Sequence, residues 1–276
     1  MLEEYLSEKQ KKKKERRKRW WWLAVVILIF VAGIFALWIV ARSPFFRIDH
    51  FVVTGNRAVL ASDVVTLLQA SMSRHRTLLF SLLGMNNMLA WPRSLATSDV
   101  ALVPQLAGIT LQKNYGSHTV TAVVAERIPS AIWCAMPSTL ANGDLSGDES
   151  CFWFDDTGTL FQKAFDTEGS ELFAVHDYAQ SGLAIGGKIL PDPFVPNMIS
   201  ILDTLEASGL TAKEIALRDL SLEEVDVSTY NGPALYFSLR FSATEDLSTL
   251  QQLMEKPDFN SLQYLDFRTE NRVYYK

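Results

Sequence analysis

The run from Trp20 to Ala41 is apolar at every one of its 22 positions except Gly33. As an α-helix a segment of that length extends roughly 33 Å, which matches the ~30 Å hydrocarbon core of a bilayer. The main rival reading is a cleaved signal peptide, whose apolar region is about 7–15 residues long and ends at a small-residue cleavage site. Here the run is longer, and its exit, Ala41-Arg42-Ser43-Pro44, is a poor cleavage signal. The expectation is a transmembrane signal anchor over residues 20–41.

Charge gives the expected orientation. The chain carries a net −5, but residues 1–42 hold ten Lys/Arg against four Glu, and the remaining 234 residues hold sixteen basic against twenty-seven acidic side chains. The net charge is therefore +6 before the exit and −11 after it. The run Lys11 to Arg19 contains eight positive charges and has the composition of a nuclear-localisation or nucleic-acid patch. Its position against one end of the apolar run decides otherwise, because positive flanks stay in the cytoplasm. Trp20, Trp21, Trp22 and Trp38 fit interfacial aromatic belts. Residues 1–19 thus read as a basic cytoplasmic tail, and the acidic bulk as translocated. This excludes a simple cytosolic enzyme, a disordered chain and a disulfide-dense miniprotein.

After Ser43-Pro44, Phe46 to Thr54 reads as a strand ended by a Gly55-Asn56 turn. Ala61 to Met72 places Val64, Leu67, Leu68 and Met72 at helical spacing. Leu78 to Leu89 is a second apolar helical stretch, broken near Gly84. The period then changes to strand in Ile109–Lys113 and Thr119–Val124, joined through Asn114-Tyr115-Gly116-Ser117. A β-α-α-β-β order over residues 43–127 indicates a small α+β domain.

Residues 128–276 read as a mainly antiparallel β domain with flanking helices. One helix carries Phe194, Met198, Ile201, Leu202 and Leu205 on one face, with Gly209 as its stop. Val225–Thr229 and Ala234–Phe241 flank Asn231-Gly232-Pro233, and Ser242-Ala243-Thr244-Glu245 has the form of a capping box. Leu262–Phe267 and Arg272–Tyr275 close the chain as a strand pair. Cys134 and Cys151 flank a turn-rich stretch containing Asn142-Gly143 and are expected to form a disulfide across a hairpin, in a compartment where disulfides persist. Two buried free thiols remain the alternative.

The motifs that look chemical lack their partners. Gly182 to Lys188 matches G-x-x-x-x-G-K, but Ile189 stands where a magnesium-ligating hydroxyl belongs, and no strand leads into the loop. Asn142 to Gly147 mimics the opening of a calcium loop, yet the twelfth position is Trp153 rather than Glu. His50, His75, His118 and His176 are scattered, and there is no Gly-x-Ser-x-Gly elbow. Asp155-Asp156 and Glu223-Glu224 read as solvated turn or strand-edge carboxylates. A non-catalytic protein is expected, with no metal, cofactor, small-molecule substrate or nucleic acid.

Several segments in this order resemble the bacterial cell-division proteins of the FtsQ/DivIB type. Phe46 to Asn56 is similar to the strand and Gly-Asn turn that open that family's POTRA domain. Thr119 to Trp133, with Glu126-Arg127-Ile128-Pro129, is similar to its closing strand and Glu-Arg-x-Pro junction. Asp155 to Phe161 resembles its Asp-x-x-Gly-x-x-Phe turn, and Tyr264 to Arg268 with Arg272 to Lys276 its terminal strand pair. Gly116, where Pro is usual, and the Cys134/Cys151 pair depart from the pattern, and residues 163–215 match only in coarse layout. The resemblance implies a POTRA-like domain, then a β domain, in a bitopic scaffold of the divisome. Such a scaffold recruits FtsB/FtsL-type partners at the septum.

A terminal hairpin that leaves a sheet edge can accept a partner strand. Tyr264, Leu265, Phe267, Arg268 and Tyr274 are the expected contact residues, with Tyr264, Asp266 and Arg268 on one face of the strand and Leu265 and Phe267 on the other. Glu126 and Arg127 read as a strand-end charge pair, or as part of a recruitment surface. The competing functions are a POTRA-bearing component of membrane protein assembly or secretion, and a membrane-anchored cell-wall hydrolase. Against the first stand the absence of a run of barrel strands and the presence of one POTRA-like unit; against the second, the missing nucleophile or metal set.

Overall fold

The computed structural model describes residues 2–75, 77–139, 145–146, 150–164, 173–180 and 182–276. The chain begins with α1 (Leu2–Ala41), a 40-residue helix that runs unbroken from the basic segment through the apolar one. Within it Lys18–Ala41 is long and apolar enough to cross a membrane, and none of it is buried. It stops where the sequence dictates: Ser43 is extended (φ −62°, ψ 154°) before Pro44, whose ring excludes the helical conformation from the preceding residue.

There follow β1 (His50–Thr54), α2 (Ala61–Arg74), α3 (Leu78–Leu83), α4 (Thr97–Val100), β2 (Leu106–Asn114) and β3 (Thr119–Glu126). β3 lies between β1 and β2, parallel to β1 from His50 opposite Thr119 to Thr54 opposite Val123. α2 buries Val64, Leu67, Leu68 and Met72, the stripe read from its spacing. Gly55 is required at its turn: its φ is +85°, and a Cβ there would lie 2.4 Å from the Val124 carbonyl oxygen. The expected second helix is divided. α3 ends at Gly84, and a single 3₁₀ turn, Met88–Ala90, follows. α4 was not legible in the sequence.

Two compact units result. One comprises Met1–Asn56, Leu60–Leu95 and Ile109–Val124; the other comprises Arg57–Val59, Ala96–Gly108 and Ala125–Lys276. The division is thus not a single cut near residue 127, because two short excursions from the N-terminal half belong to the second unit.

The second unit contains β4 (Ala131–Ala135), the two-residue strands β5 (Ser138–Thr139) and β6 (Leu145–Ser146), β7 (Ser150–Phe154), β8 (Leu160–Ala164) and β9 (Ala174–Asp177). After these come α5 (Val195–Ser208), β10 (Ala212–Leu217), β11 (Glu224–Thr229), β12 (Ala234–Ser238), α6 (Asp246–Met254), β13 (Tyr264–Thr269) and β14 (Arg272–Tyr275). Among the described residues nine strands form one sheet in the order β14-β13-β12-β11-β10-β9-β4-β7-β8.

The sheet is mixed: five of its eight pairings are antiparallel, as expected for a mainly antiparallel domain, and three are parallel. β4 with β9, β9 with β10, and β12 with β13 are parallel. The reason is the connections. α5 joins β9 to β10 and α6 joins β12 to β13, and a helical crossover returns the chain in the same direction. β9 and most of β10 lie in residues 163–215, where the resemblance extends only to coarse layout.

Both helices contribute to one core against the sheet, with Met198, Ile201, Leu205 and Leu250 packed with Trp133, Val175, Val227, Phe237 and Phe267. α5 ends at Gly209, left-handed at φ +73°. α6 starts later than the capping-box pattern implied. Its N-cap is Glu245, without a side-chain cap, and the Ser242 hydroxyl instead hydrogen-bonds that of Thr244 at 2.8 Å. The opposite face of β4 and β7 carries a smaller cluster of Ile132, Cys134, Cys151 and Ala174.

The glycine-rich Gly182–Lys188 segment forms a turn against β8. The Gly186 N–H donates to the Leu160 carbonyl (2.7 Å), and the Leu160 N–H to that of Gly187 (2.9 Å). The Asn142-Gly143 turn lies outside the described residues.

Candidate partner-binding edge

Among the described residues β14 pairs only with β13, in antiparallel register with Leu265 opposite Tyr275 and Asp266 opposite Tyr274. Asn271, left-handed at φ +60°, makes the turn between them. The strand therefore presents main-chain donors and acceptors along its outer side, the arrangement an added strand completes. Side chains alternate across it, so Arg272 and Tyr274 stand on one face and Val273 and Tyr275 on the other. Tyr274 and Tyr275 are each half exposed.

The hairpin keeps this edge in place through its inner strand. Leu265 and Phe267 are wholly buried, and the Phe267 ring stacks on Phe237 with centroids 5.2 Å apart. Their side chains are therefore not part of any surface offered to a partner, a correction to the sequence reading. Nor is Arg268 free to reach outward. It grips the Asp266 carboxylate with two hydrogen bonds (2.8 and 2.6 Å), donates to Glu224 (2.8 Å), and lies 5.1 Å from the Tyr236 ring centre.

Hydrogen bonding from Arg268 holds the Asp266 carboxyl below the usual carboxylate range, against the cost of its partial burial. Asp266 and Glu224 in turn raise the Arg268 pKa, with burial opposing them. Tyr264 sits beside this cluster, half-buried, with its ring 6.1 Å from Tyr236. Of the five expected contact residues, Tyr274 is on the edge strand, and Tyr264 and Arg268 lie on the outer face of the next.

Two features of the edge were missed. One is Tyr275; the other is the groove beside it, a cavity of about 960 Å³ between the start of α6 and the hairpin, lined by Glu245, Asp246, Leu253, Val273 and Tyr275 among others. Lys256 lies 5.1 Å from the Tyr275 ring centre on that side. Burial, with Glu245 adding to it, pushes the Asp246 carboxyl up to about 6. A signal for the groove existed. A parallel β12–β13 pair needs a crossover helix on one face of the sheet, and that helix must flank the terminal hairpin.

The junction residues are not a pair. The Glu126 carboxylate accepts the backbone N–H groups of Arg57 (2.7 Å), Ala58 (3.0 Å) and Val59 (2.9 Å). Burial opposes its ionisation, but those donors outweigh burial and hold it below the usual glutamate range. Arg127 donates through Nη1 to Asp155 and through Nε to the Pro104 carbonyl (2.9 Å). Both side chains thus make contacts within the fold rather than with each other.

Cys134 and Cys151 stand opposite each other in the β4–β7 register and are bonded, with Cα atoms 4.0 Å apart. Among the described residues no cluster of His, Cys, Asp and Glu is placed to hold a metal. Compared with known proteins, the chain matches no family model and no curated sequence.

Proposed function

We propose that this chain is a bitopic, non-catalytic scaffold of the bacterial division machinery, of the FtsQ/DivIB type. Its basic tail is cytoplasmic, α1 spans the cell membrane, and both folded units work on the far side at the division septum. The observation that carries the reading is the one-sided pairing of β14, with Tyr274 on one face and Tyr275 on the other. Small bitopic partners of the FtsB/FtsL type add a strand there, main-chain hydrogen bonds supplying affinity and the two tyrosines supplying selectivity. The β-α-α-β-β order with β3 central supports reading the first unit as POTRA-like.

The test is depletion together with capture. Depletion should give filaments, and a fluorescently tagged full chain should collect at mid-cell. Tyr274→Ala/Tyr275→Ala should leave folding unchanged, because both rings are half exposed, and should abolish capture of the small bitopic partners. Normal division on depletion overturns the division role; full capture by the double variant moves the interface away from β14.

A further inference from the structure

The first unit carries an apolar surface that the division reading does not use. None of the residues of α3, Leu-Leu-Phe-Ser-Leu-Leu, is buried, and Leu78, Leu79 and Leu82 are 83, 56 and 56 % exposed. Met85, just beyond, is partly exposed and opens onto an apolar cavity of about 260 Å³ lined by Ile48, Phe51 and Trp91. Scattered single leucines need no explanation on a protein surface, but a contiguous apolar patch marks a binding face.

The position of this patch identifies what covers it. The Asn87 side-chain amide donates to the carbonyl of Ala41, the last residue of α1, at 2.7 Å. The Ile48 N–H donates to the Asn86 carbonyl at 2.8 Å, and Arg47 bridges Asn87. The segment that leaves α3 is thus bonded to the exit of the long apolar helix. On a second side, Phe45 and Phe46 pack on Tyr115 at the tip of the β2–β3 hairpin, with ring centres 6.1 and 5.8 Å away. Arg42 lies over Trp38 at 5.0 Å. Two separate parts of the unit are therefore fastened to the residues that emerge from α1, so the unit is held against the end of the helix rather than on a free tether.

Charge agrees. Residues 43–56, 60–95 and 109–124 hold five basic side chains (Arg47, Arg74, Arg76, Arg93, Lys113) against two acidic ones (Asp49, Asp63). The other unit holds eleven basic against twenty-five acidic. Only the unit next to the apolar helix has the sign that an anionic lipid surface attracts. Arg74 and Arg76 immediately precede the leucines in sequence, the order in which arginines meet headgroups while apolar side chains enter the acyl boundary.

We infer that Leu78, Leu79 and Leu82 are seated in the outer interface of the bilayer that α1 spans, so that the first unit is a second, peripheral membrane contact. The inference rests on reading α1 as a membrane span, and the test separates the two.

The full chain is reconstituted in vesicles of three parts phosphatidylcholine to one part phosphatidylglycerol, with an environment-sensitive thiol label at Leu78→Cys, Leu82→Cys, Leu37→Cys or Gln252→Cys. The native cysteines are bonded to each other and do not take the label. Shallow spin-labelled lipid should quench positions 78 and 82 about threefold more than position 252, as expected for interfacial insertion, and should also quench position 37, about one turn inside the outer end of the span. Quenching at 37 with none at 78 and 82 above that at 252 overturns the lipid seat alone. No quenching at 37 overturns the span itself. In cells, a photo-crosslinker at position 79 should give lipid adducts, and a single discrete protein adduct instead overturns the inference in favour of a protein partner.

Discussion

Arg127 donates through Nη1 to the Asp155 carboxylate, and the two side chains are only 15 and 4 % exposed. The same carboxylate accepts the N–H groups of Thr157 (3.1 Å) and Thr159 (2.9 Å). A charge buried this far is tolerable only with its counter-charge and donors in place. Arg127→Ala should therefore cost about 3–5 kcal/mol, the range for stranding one partner of a buried pair. Urea unfolding of the full chain in detergent measures it.

Burial alone would raise the Asp155 pKa, but the hydrogen bonds from Thr157, Thr159 and Arg127, with the arginine's charge, bring it below the ordinary 3.8. A carboxyl depressed in the fold contributes stability above its unfolded value and loses it as pH falls through the folded one. Asp155→Asn should be less stable than the parent at pH 7, and the gap should close below pH 3.8. Thermal unfolding from pH 7 to pH 2.5 follows it.

Asp246 has the opposite sign. Burial first, then Glu245, raises its pKa from 3.8 to about 6, so the fold favours the protonated form and loses stability as pH rises from about 4 to about 6. Asp246→Asn should stabilise the chain by about 2 kcal/mol at pH 7, with a shift near two units and some solvent screening. At pH 3.5 it should have no effect. Paired melts at the two pH values decide it.

The disulfide closes a 17-residue separation. Chain entropy assigns a loop of that size about 3 kcal/mol, so Cys134→Ala/Cys151→Ala should lose about that much. Reductant should lower the parent's denaturant midpoint to the variant's value and leave the variant's unchanged.

Gly55→Ala places a Cβ 2.4 Å from the Val124 carbonyl oxygen at a φ of +85°. Backbone there must move, and a loss of about 1–3 kcal/mol is expected from strain of this kind. A lowered melting temperature with unchanged helix content by circular dichroism is the expected result.

Legibility in the sequence followed the range of the interactions. The α2 stripe of Val64, Leu68 and Met72, the Gly209 stop of α5 and the terminal strand pair are local patterns, and each stands where the spacing put it. Asp155, read as a solvated turn carboxylate, is buried because its counter-charge lies 28 residues away at Arg127. Ser242 and Glu245 had the form of a capping box, but Ser242 bonds Thr244 and the helix starts after Glu245.

The sequence alone determined the length of the apolar helix, the division of charge on its two sides, the α+β character and the alternation that sets Leu265 and Phe267 on the face opposite Tyr264 and Arg268, because each depends on residue type and spacing within a few turns. Tertiary structure alone decided that the sheet is mixed, that β14 stands at its edge with Tyr275 over a groove, and that Asn87 ties the first unit to Ala41. Those depend on which distant segments pair, and pairing is settled by crossover direction and shared burial, which no local pattern encodes.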